Sequence, residues 1–197
     1  AVYPIESGVS IPPESVAASH NRRYLFSCIN GHPAYSRLIN LSWITKNYHV
    51  FTKENSIVTC ALTDRYDVQT EFNRTILEMR GQWPEGAEIL DKKIIPQLPL
   101  QHPEVSVIDK FDHQSYNEFM SCSAAAFTDT YINIIVESES NGPFISEKSL
   151  KPIIAGQLFV TTATPGTLDT LRSLGFDTFD DIIEHSRYSE YHNVFAR

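Results

Sequence analysis

The chain lacks the motifs of several common nucleotide-binding and hydrolytic enzymes. No GxxxxGK[ST] occurs, which disfavours a P-loop NTPase, and no GxGxxG follows a candidate strand, which disfavours a dinucleotide-dependent dehydrogenase. The GxSxG nucleophile elbow that a serine hydrolase would need is also absent. Any phosphate or substrate site must therefore be built from a different arrangement of residues.

Cysteine and long apolar runs are also scarce. Cys28, Cys60 and Cys122 are scattered, with no CxxC pair and no Cys/His cluster at zinc spacing, so we expect reduced thiols and no metal site. No apolar run approaches the ~20 residues that a membrane span needs. No signal peptide is visible at the start, where Glu6 and nearby prolines interrupt the pattern. We therefore expect a cytoplasmic protein without a membrane span.

Positive charge is in deficit along the chain. The 197 residues include 16 Lys and Arg against 24 Asp and Glu, which gives a formal net charge of −8. Because a duplex-DNA binder normally presents a basic face, no nucleic-acid partner is expected. Phosphate binding stays possible, since one local Lys or Arg can hold a phosphate on an acidic protein.

Apolar runs alternate with segments of helical periodicity. The predicted strands are residues 23–30, 56–62, 132–136 and 158–162, and the predicted helices are 34–47, 67–80, 114–128, 146–155, 164–174 and 180–191. The strands are continuous apolar runs, which is typical of a parallel sheet covered on both faces. We therefore predict an α/β fold with a Rossmann-like parallel sheet and helices on both faces.

The predicted organisation is an irregular lead-in over residues 1–22 and a single α/β domain over residues 23–197. Prolines punctuate residues 81–112, which are predicted to form a Pro-rich connecting segment on the surface with a short strand at Ile94–Ile95. Thr164 is predicted to cap the helix that Gly175 ends.

Two strand–loop–helix corners carry the candidate functional residues. In a parallel sheet, ligands bind beyond the carboxyl ends of the strands, where loops lead into helix starts. Residues 30–33, Asn-Gly-His-Pro, lead to Arg37, and residues 137–146 lead to Glu147 and Lys148. A helix start carries unpaired N–H groups and partial positive charge, so with Lys148 it can neutralise a diphosphate.

Each candidate has a functional and a structural interpretation. Glu147 can accept hydrogen bonds from two ribose hydroxyls, or simply favour the helix dipole. Arg37 can bind a phosphate through the N–H donors of its planar guanidinium group, or be a solvated helix arginine. Phe144 can lie against a base. His32 can act as a base or phosphate donor, although a lone loop histidine more often does neither.

Two other groups of residues favour a structural interpretation only. Lys151, one turn after Lys148, is predicted to be a surface charge. His185 and His192 are predicted to share a solvated helix face rather than a metal site.

The segment PFISEKSLKPIIAGQLFVTTATPG resembles the donor-binding segment of alpha-1,3-fucosyltransferases and their relatives. That family has an acidic strand end, a variable loop and an aromatic-x-Thr-Glu-Lys run before a helix. Glu137 falls at the acidic strand end, Phe144 at the aromatic position, and Ser146, Glu147 and Lys148 at the Thr-Glu-Lys.

Two further segments extend the resemblance over residues 23–62 and 128–185. LFSCINGHPAYSRLINLSWI resembles the Ser-Asn strand end and arginine-bearing helix of the family, with Arg37 on the arginine. GTLDTLRSLGFDTFDDII resembles the tail of related phage-borne glycosyltransferase-like proteins. The chain departs from the family at Phe144, usually tyrosine, and at residues 136–138, which read Val-Glu-Ser instead of Phe-Glu-Asn.

The resemblance implies a fold similar to the nucleotide-binding half of a GT-B glycosyltransferase. It implies that Glu147 binds the donor ribose, that Arg37 and Lys148 hold the diphosphate, and that Phe144 faces the base. The family's general base comes from a separate amino-terminal acceptor domain, for which this chain has little room. Either the acceptor half lies outside these residues and supplies the base, or the protein is a reduced form; within this chain, Glu137 is the catalytic candidate.

The predicted function is transfer of a sugar from a nucleotide-diphosphate sugar to an unknown acceptor, with no obligatory metal or other cofactor. The alternatives are a non-catalytic nucleotide- or sugar-phosphate-binding module and an interaction domain without a ligand.

Overall fold

The computed structural model of the chain describes residues 22–48, 54–62, 67–103, 125–137 and 142–185. The predicted lead-in, apart from Arg22, lies outside these ranges, as do Cys122, His192 and most of the predicted helix at 114–128.

Four parallel strands form one sheet in the order β2-β1-β3-β4. The strands are β1 (Tyr24–Asn30), β2 (Ser56–Cys60), β3 (Thr130–Ile135) and β4 (Leu158–Thr161). All four predicted strands are confirmed, with ends that differ by one or two residues. The all-parallel sheet confirms the α/β class, and the strand order is consistent with a Rossmann-like, doubly wound fold.

Helices connect the strands. The α-helices are α1 (Tyr35–Tyr48), α2 (Val68–Gln82), α3 (Pro84–Ile89), α4 (Ala125–Thr128), α5 (Glu147–Ile154) and α6 (Thr167–Ser173). A π-helical turn (Leu90–Ile94) and a 3-10 turn (Ile95–Gln97) follow α3. None of the described helices is long and apolar enough to cross a membrane.

The strand predicted at Ile94–Ile95 is wrong, because this part of the Pro-rich segment is helical. Ala87, Leu90 and Ile94 are all fully or almost fully buried in the cluster formed with α1 and α2. Their spacing of three and four residues is that of one helix face, which the prolines concealed. Pro84 is tolerated because it occupies the first turn of α3, where no N–H is needed.

Helices cover both faces of the sheet. On one face Ile44 of α1 packs against Phe26 and Cys28 of β1. On the other face Leu168 and Leu171 of α6 pack against Ile135 and Phe159. Ser27 pairs with Asn133, and Asn133 pairs with Phe159, so the side chains of these three residues lie on one face of the sheet. Because side chains alternate along a strand, this is the face opposite to that of Phe26 and Cys28. Each buried aliphatic side chain of this kind contributes about 1.5–3 kcal/mol.

A buried polar network ties α4 to the sheet. The Ala126 carbonyl oxygen accepts from Ser27 Oγ at 2.9 Å, Thr130 Oγ1 at 2.7 Å and Gln157 Nε2 at 3.2 Å. Asn133 Nδ2 donates to Ser27 Oγ at 3.0 Å. Because these polar groups form hydrogen bonds with one another, the network fixes the relative positions of the strands, and its own buried donors and acceptors have partners.

The end of the described chain differs from its prediction. Helix α6 begins at Thr167 after Gly166, whereas Thr164 donates its hydroxyl hydrogen to the Gly142 carbonyl oxygen and so joins the loops that follow β3 and β4. Gly175 ends the helix as predicted, with φ of 86°. Residues 180–185 form turns, so this part of the predicted last helix is wrong.

Side-chain pairing explains these final turns. Arg172 binds both carboxylate oxygens of Asp180, with Nε–Oδ2 at 2.9 Å and Nη2–Oδ1 at 2.6 Å, and draws the segment back onto α6. His185, predicted to be solvated, is buried, with Nε2 2.7 Å from the Thr178 carbonyl oxygen.

Candidate functional site

The candidate site lies at the crevice beyond the carboxyl ends of β1 and β3. The chain leaves β1 toward β2 on one side of the sheet and leaves β3 toward β4 on the other. Connections that diverge from neighbouring strands open a crevice at this switch point, which is where open α/β sheets bind ligands. The two predicted corners follow these two strands, so the topology brings them to the same edge.

The first corner directs Arg37 inward. Residues 31–34 connect β1 to α1, and Arg37 lies in the first turn of that helix with 1% of its surface exposed. Its Nη1 donates to His32 Nδ1 at 2.8 Å and to the His32 carbonyl oxygen at 3.0 Å. The solvated-arginine interpretation is therefore wrong, and His32 holds the guanidinium in position.

The contact with Arg37 also fixes the tautomer of His32. A guanidinium has donors only, so Nδ1 must be the acceptor and the neutral ring carries its proton on Nε2. Burial, followed by the positive charges of Arg37 and Lys148, lowers the pKa of His32 to about 4. The imidazole is therefore neutral at pH 7, and it lies within electrostatic reach of cations from both corners.

The second corner is organised by Glu137. Its carboxylate accepts hydrogen bonds from Ser146 N at 3.2 Å, Ser146 Oγ at 2.7 Å and Ser149 Oγ at 2.6 Å. The Glu137 side chain is 0% exposed. A carboxylate at a helix start is stabilised by the helix dipole. The chain's own carboxylate thus takes the place at the start of α5 where the sequence suggested a ligand phosphate.

Lys148 lies at the outer side of this corner. Its Nζ is 2.8 Å from Glu147 Oε1, 3.3 Å from Ser146 Oγ and 3.9 Å from Glu137 Oε2. The Lys148 side chain is 26% exposed and that of Glu147 is 16% exposed. The pair is therefore oriented by the buried carboxylate yet open to a ligand.

Electrostatic coupling joins the two corners. Burial lowers the pKa of Arg37, and electrostatic interactions with Cys60, Cys28, Glu137 and Glu147 act in the opposite direction. Both carboxylates of the second corner are thus within electrostatic reach of the guanidinium of the first. Two cations, two carboxylates and a neutral imidazole thus interact electrostatically at one edge of the sheet.

Phe144 occupies the loop between β3 and α5. Its backbone N–H donates to Thr167 Oγ1 at 3.4 Å, which docks the loop on the start of α6. The next residue, Ile145, packs against the core cluster around Phe159, while Phe144 itself is partly exposed. The aromatic side chain therefore sits in an anchored loop that precedes Ser146 by two residues.

Sequence reasoning missed the environment of two side chains of α5. Ser149 is fully buried and binds Glu137, and its spacing of three residues from Ser146 was the signal that both hydroxyls face one carboxylate. Lys151 was expected at the surface, but it is buried, with Nζ 5.7 Å from the centroid of the Phe127 ring. A cation over an aromatic face is stabilised there, which makes its burial tolerable.

Within residues 22–48, 54–62, 67–103, 125–137 and 142–185, no group of three or more His, Cys, Asp or Glu is arranged to hold a metal ion.

Comparison of the chain with protein-family models, with curated proteins and with solved structures gave no match.

Proposed function

We propose that the chain is a glycosyltransferase, or the donor domain of one, and that it binds a nucleotide sugar in the crevice beyond β1 and β3. The observation that carries the proposal is that Arg37 and Lys148 lie in helices that follow the adjacent strands β1 and β3, and that both interact electrostatically with His32. The resemblance of both corners to alpha-1,3-fucosyltransferases adds support. A relationship to the nucleotide-binding half of GT-B enzymes is part of the proposal.

In the proposed mechanism, Arg37 and Lys148 hold the donor diphosphate. The departing nucleoside diphosphate gains negative charge as the sugar leaves, and preorganised cations stabilise that charge without requiring a metal. Glu147 accepts hydrogen bonds from the ribose hydroxyls. Its ion pair with Lys148 then breaks, and the ammonium group becomes available to a phosphate oxygen. Phe144 lies against the base.

Glu137 fits a positioning role better than the role of general base. A base must reach the proton that it abstracts, directly or through one water. The Glu137 side chain is 0% exposed, and Ser146 and Ser149 occupy its oxygens. We infer that it holds the start of α5 so that Lys148 faces the crevice. The proposed base then comes from an acceptor-binding part of the protein.

Isothermal titration calorimetry with GDP-, UDP- and other nucleotide sugars tests the proposal. We expect binding to the wild type, and binding about tenfold weaker or worse for Lys148→Ala, since hydrogen bonds to charged groups contribute about 1.5–3 kcal/mol. Lys92→Ala is the matched control, because Lys92 pairs only with Glu88 among the described residues and is 69% exposed. Absence of nucleotide binding at millimolar concentration, or equal binding by both variants, rejects the assignment.

A second candidate is a non-catalytic nucleotide- or sugar-phosphate-binding module. The burial of Glu137 favours it, since the catalytic candidate within the chain does not reach the crevice. The module predicts the same loss of affinity in Lys148→Ala but neither sugar transfer nor donor hydrolysis. Donor turnover with a panel of sugar acceptors separates the two functions.

A further inference from the structure

His32 contacts Arg37 directly and interacts electrostatically with Lys148, yet the proposed donor contacts do not include it. Arg37 Nη1 donates to both its Nδ1 and its carbonyl oxygen. Lys148 acts on the same imidazole from the opposite corner. We propose that His32 takes up a proton when a phosphorylated ligand binds between Arg37 and Lys148, and that this proton releases Arg37 Nη1 to the ligand.

The free protein keeps His32 neutral. Burial disfavours the imidazolium, and protonation would place a third positive charge beside Arg37 and Lys148. Glu137 and Glu147 face the same region, but their oxygens are already bound by Ser146 and Ser149 and by Lys148, respectively. The neutral ring therefore accepts the hydrogen bond from Arg37 and restrains the guanidinium.

A bound phosphate reverses these conditions. Its negative charge offsets the two cations, and an opposite charge within ~4–6 Å raises a histidine pKa by about 1–3 units. The protonated ring carries N–H on both nitrogens, so Nδ1 no longer accepts from Arg37. The Nη1 hydrogen that pointed to Nδ1 then donates to the phosphate in a charge-assisted hydrogen bond. The proton comes from solvent, and no covalent bond between heavy atoms changes.

The consequence is reciprocal linkage between protons and the anion. If ligand binding favours protonation of His32, then protonation favours ligand binding by the same factor. The pKa of His32 is about 4 in the free protein. If the pKa is about 6 in the complex, the affinity for the phosphorylated ligand at pH ~5.5 exceeds that at pH ~8 by about fourfold from His32 alone. The inference rests on the proposed function, because it requires an anion in this crevice.

Calorimetry of the full chain with inorganic pyrophosphate, in two buffers of different ionisation enthalpy, measures the proton uptake. His32→Asn is the informative variant, since its amide oxygen can accept from Arg37 as Nδ1 does but cannot be protonated. At pH ~5.5 we expect the wild type to take up several tenths of a proton more per site than the variant, and the two to bind similarly at pH ~8. Protonation of pyrophosphate itself is common to both proteins and cancels.

Each outcome supports or overturns the proposed protonation of His32. Equal proton uptake by wild type and variant, with pyrophosphate bound, overturns the role of His32 and leaves the proposed function standing. Absence of pyrophosphate binding also overturns it, while the nucleotide-sugar titration decides the proposed function separately. Should His32→Asn fail to fold, an NMR titration of the wild-type His32 ring replaces it. We then expect pyrophosphate to raise the pKa by at least about one unit, and an unmoved pKa contradicts the inference.

Discussion

Single residues decide how charge is distributed at the crevice. Glu137 is a buried carboxylate that would be costly to leave unpaired, and the donors of Ser146 and Ser149 satisfy it. Arg37 is a buried guanidinium, and His32 satisfies part of it. Because Glu137 and Arg37 are both buried, the 26%-exposed ammonium of Lys148 is the charged group of these three that the proposed ligand would reach first.

Replacement of Glu137 by Gln tests the residue-scale account. The variant keeps the shape but has one acceptor oxygen, and its amide group meets hydroxyl and backbone donors. We expect the free energy of unfolding to fall by about 1–3 kcal/mol, measured by urea denaturation. Glu88→Gln, at an exposed carboxylate paired with Lys92, is the control and should unfold like the wild type. An unchanged urea midpoint for Glu137→Gln would mean that the carboxylate does not stabilise the start of α5.

Elements with a strong local signal were predicted well. The four apolar strands and the long helix α1 follow directly from their runs and periodicity. The region from Pro84 to Gln97 was mispredicted, because its prolines are tolerated at helix starts and its helical turns change type from α to π to 3-10. The start of α6 was misplaced because Thr164 binds the neighbouring loop instead of capping the helix.

Two glycines test whether the ends of the helices are set by backbone conformation. Gly175 has φ of 86° beyond α6, and Gly81 lies inside α2, and an added Cβ would meet no atom within 4 Å at either position. We expect Gly175→Ala to lower the free energy of unfolding by about 1–2 kcal/mol, because the left-handed backbone conformation is unfavourable for alanine. Gly81→Ala should raise it by about 0.5–1 kcal/mol.

Thermal or urea unfolding of the two variants gives the comparison directly. Both substitutions add the same methyl group to open space, so packing contributes little to the difference. Equal shifts of the same sign would contradict the assignment of Gly175 as the residue that ends α6 in a left-handed conformation.

At the scale of the whole molecule, the parallel sheet brings the two corners of the candidate site to one edge. Arg37 and Lys148 are far apart in sequence, but the strand order brings the ends of β1 and β3 together. That both corners lie at one edge of the sheet was predictable from the parallel-sheet pattern, whereas the order of the strands was not. Two details were not predictable: Glu137 occupies the start of α5, and Arg37 forms hydrogen bonds with His32. Both depend on side-chain directions, which the periodicity of the sequence does not specify.

The most direct test of the shared crevice is a crystal structure of the protein with a bound nucleoside diphosphate. The account predicts that the diphosphate lies between the two corners, within hydrogen-bonding distance of Arg37 and Lys148 and next to His32, with Glu147 turned toward the ribose. A diphosphate bound elsewhere on the molecule, with the Glu147–Lys148 ion pair unchanged, would contradict it.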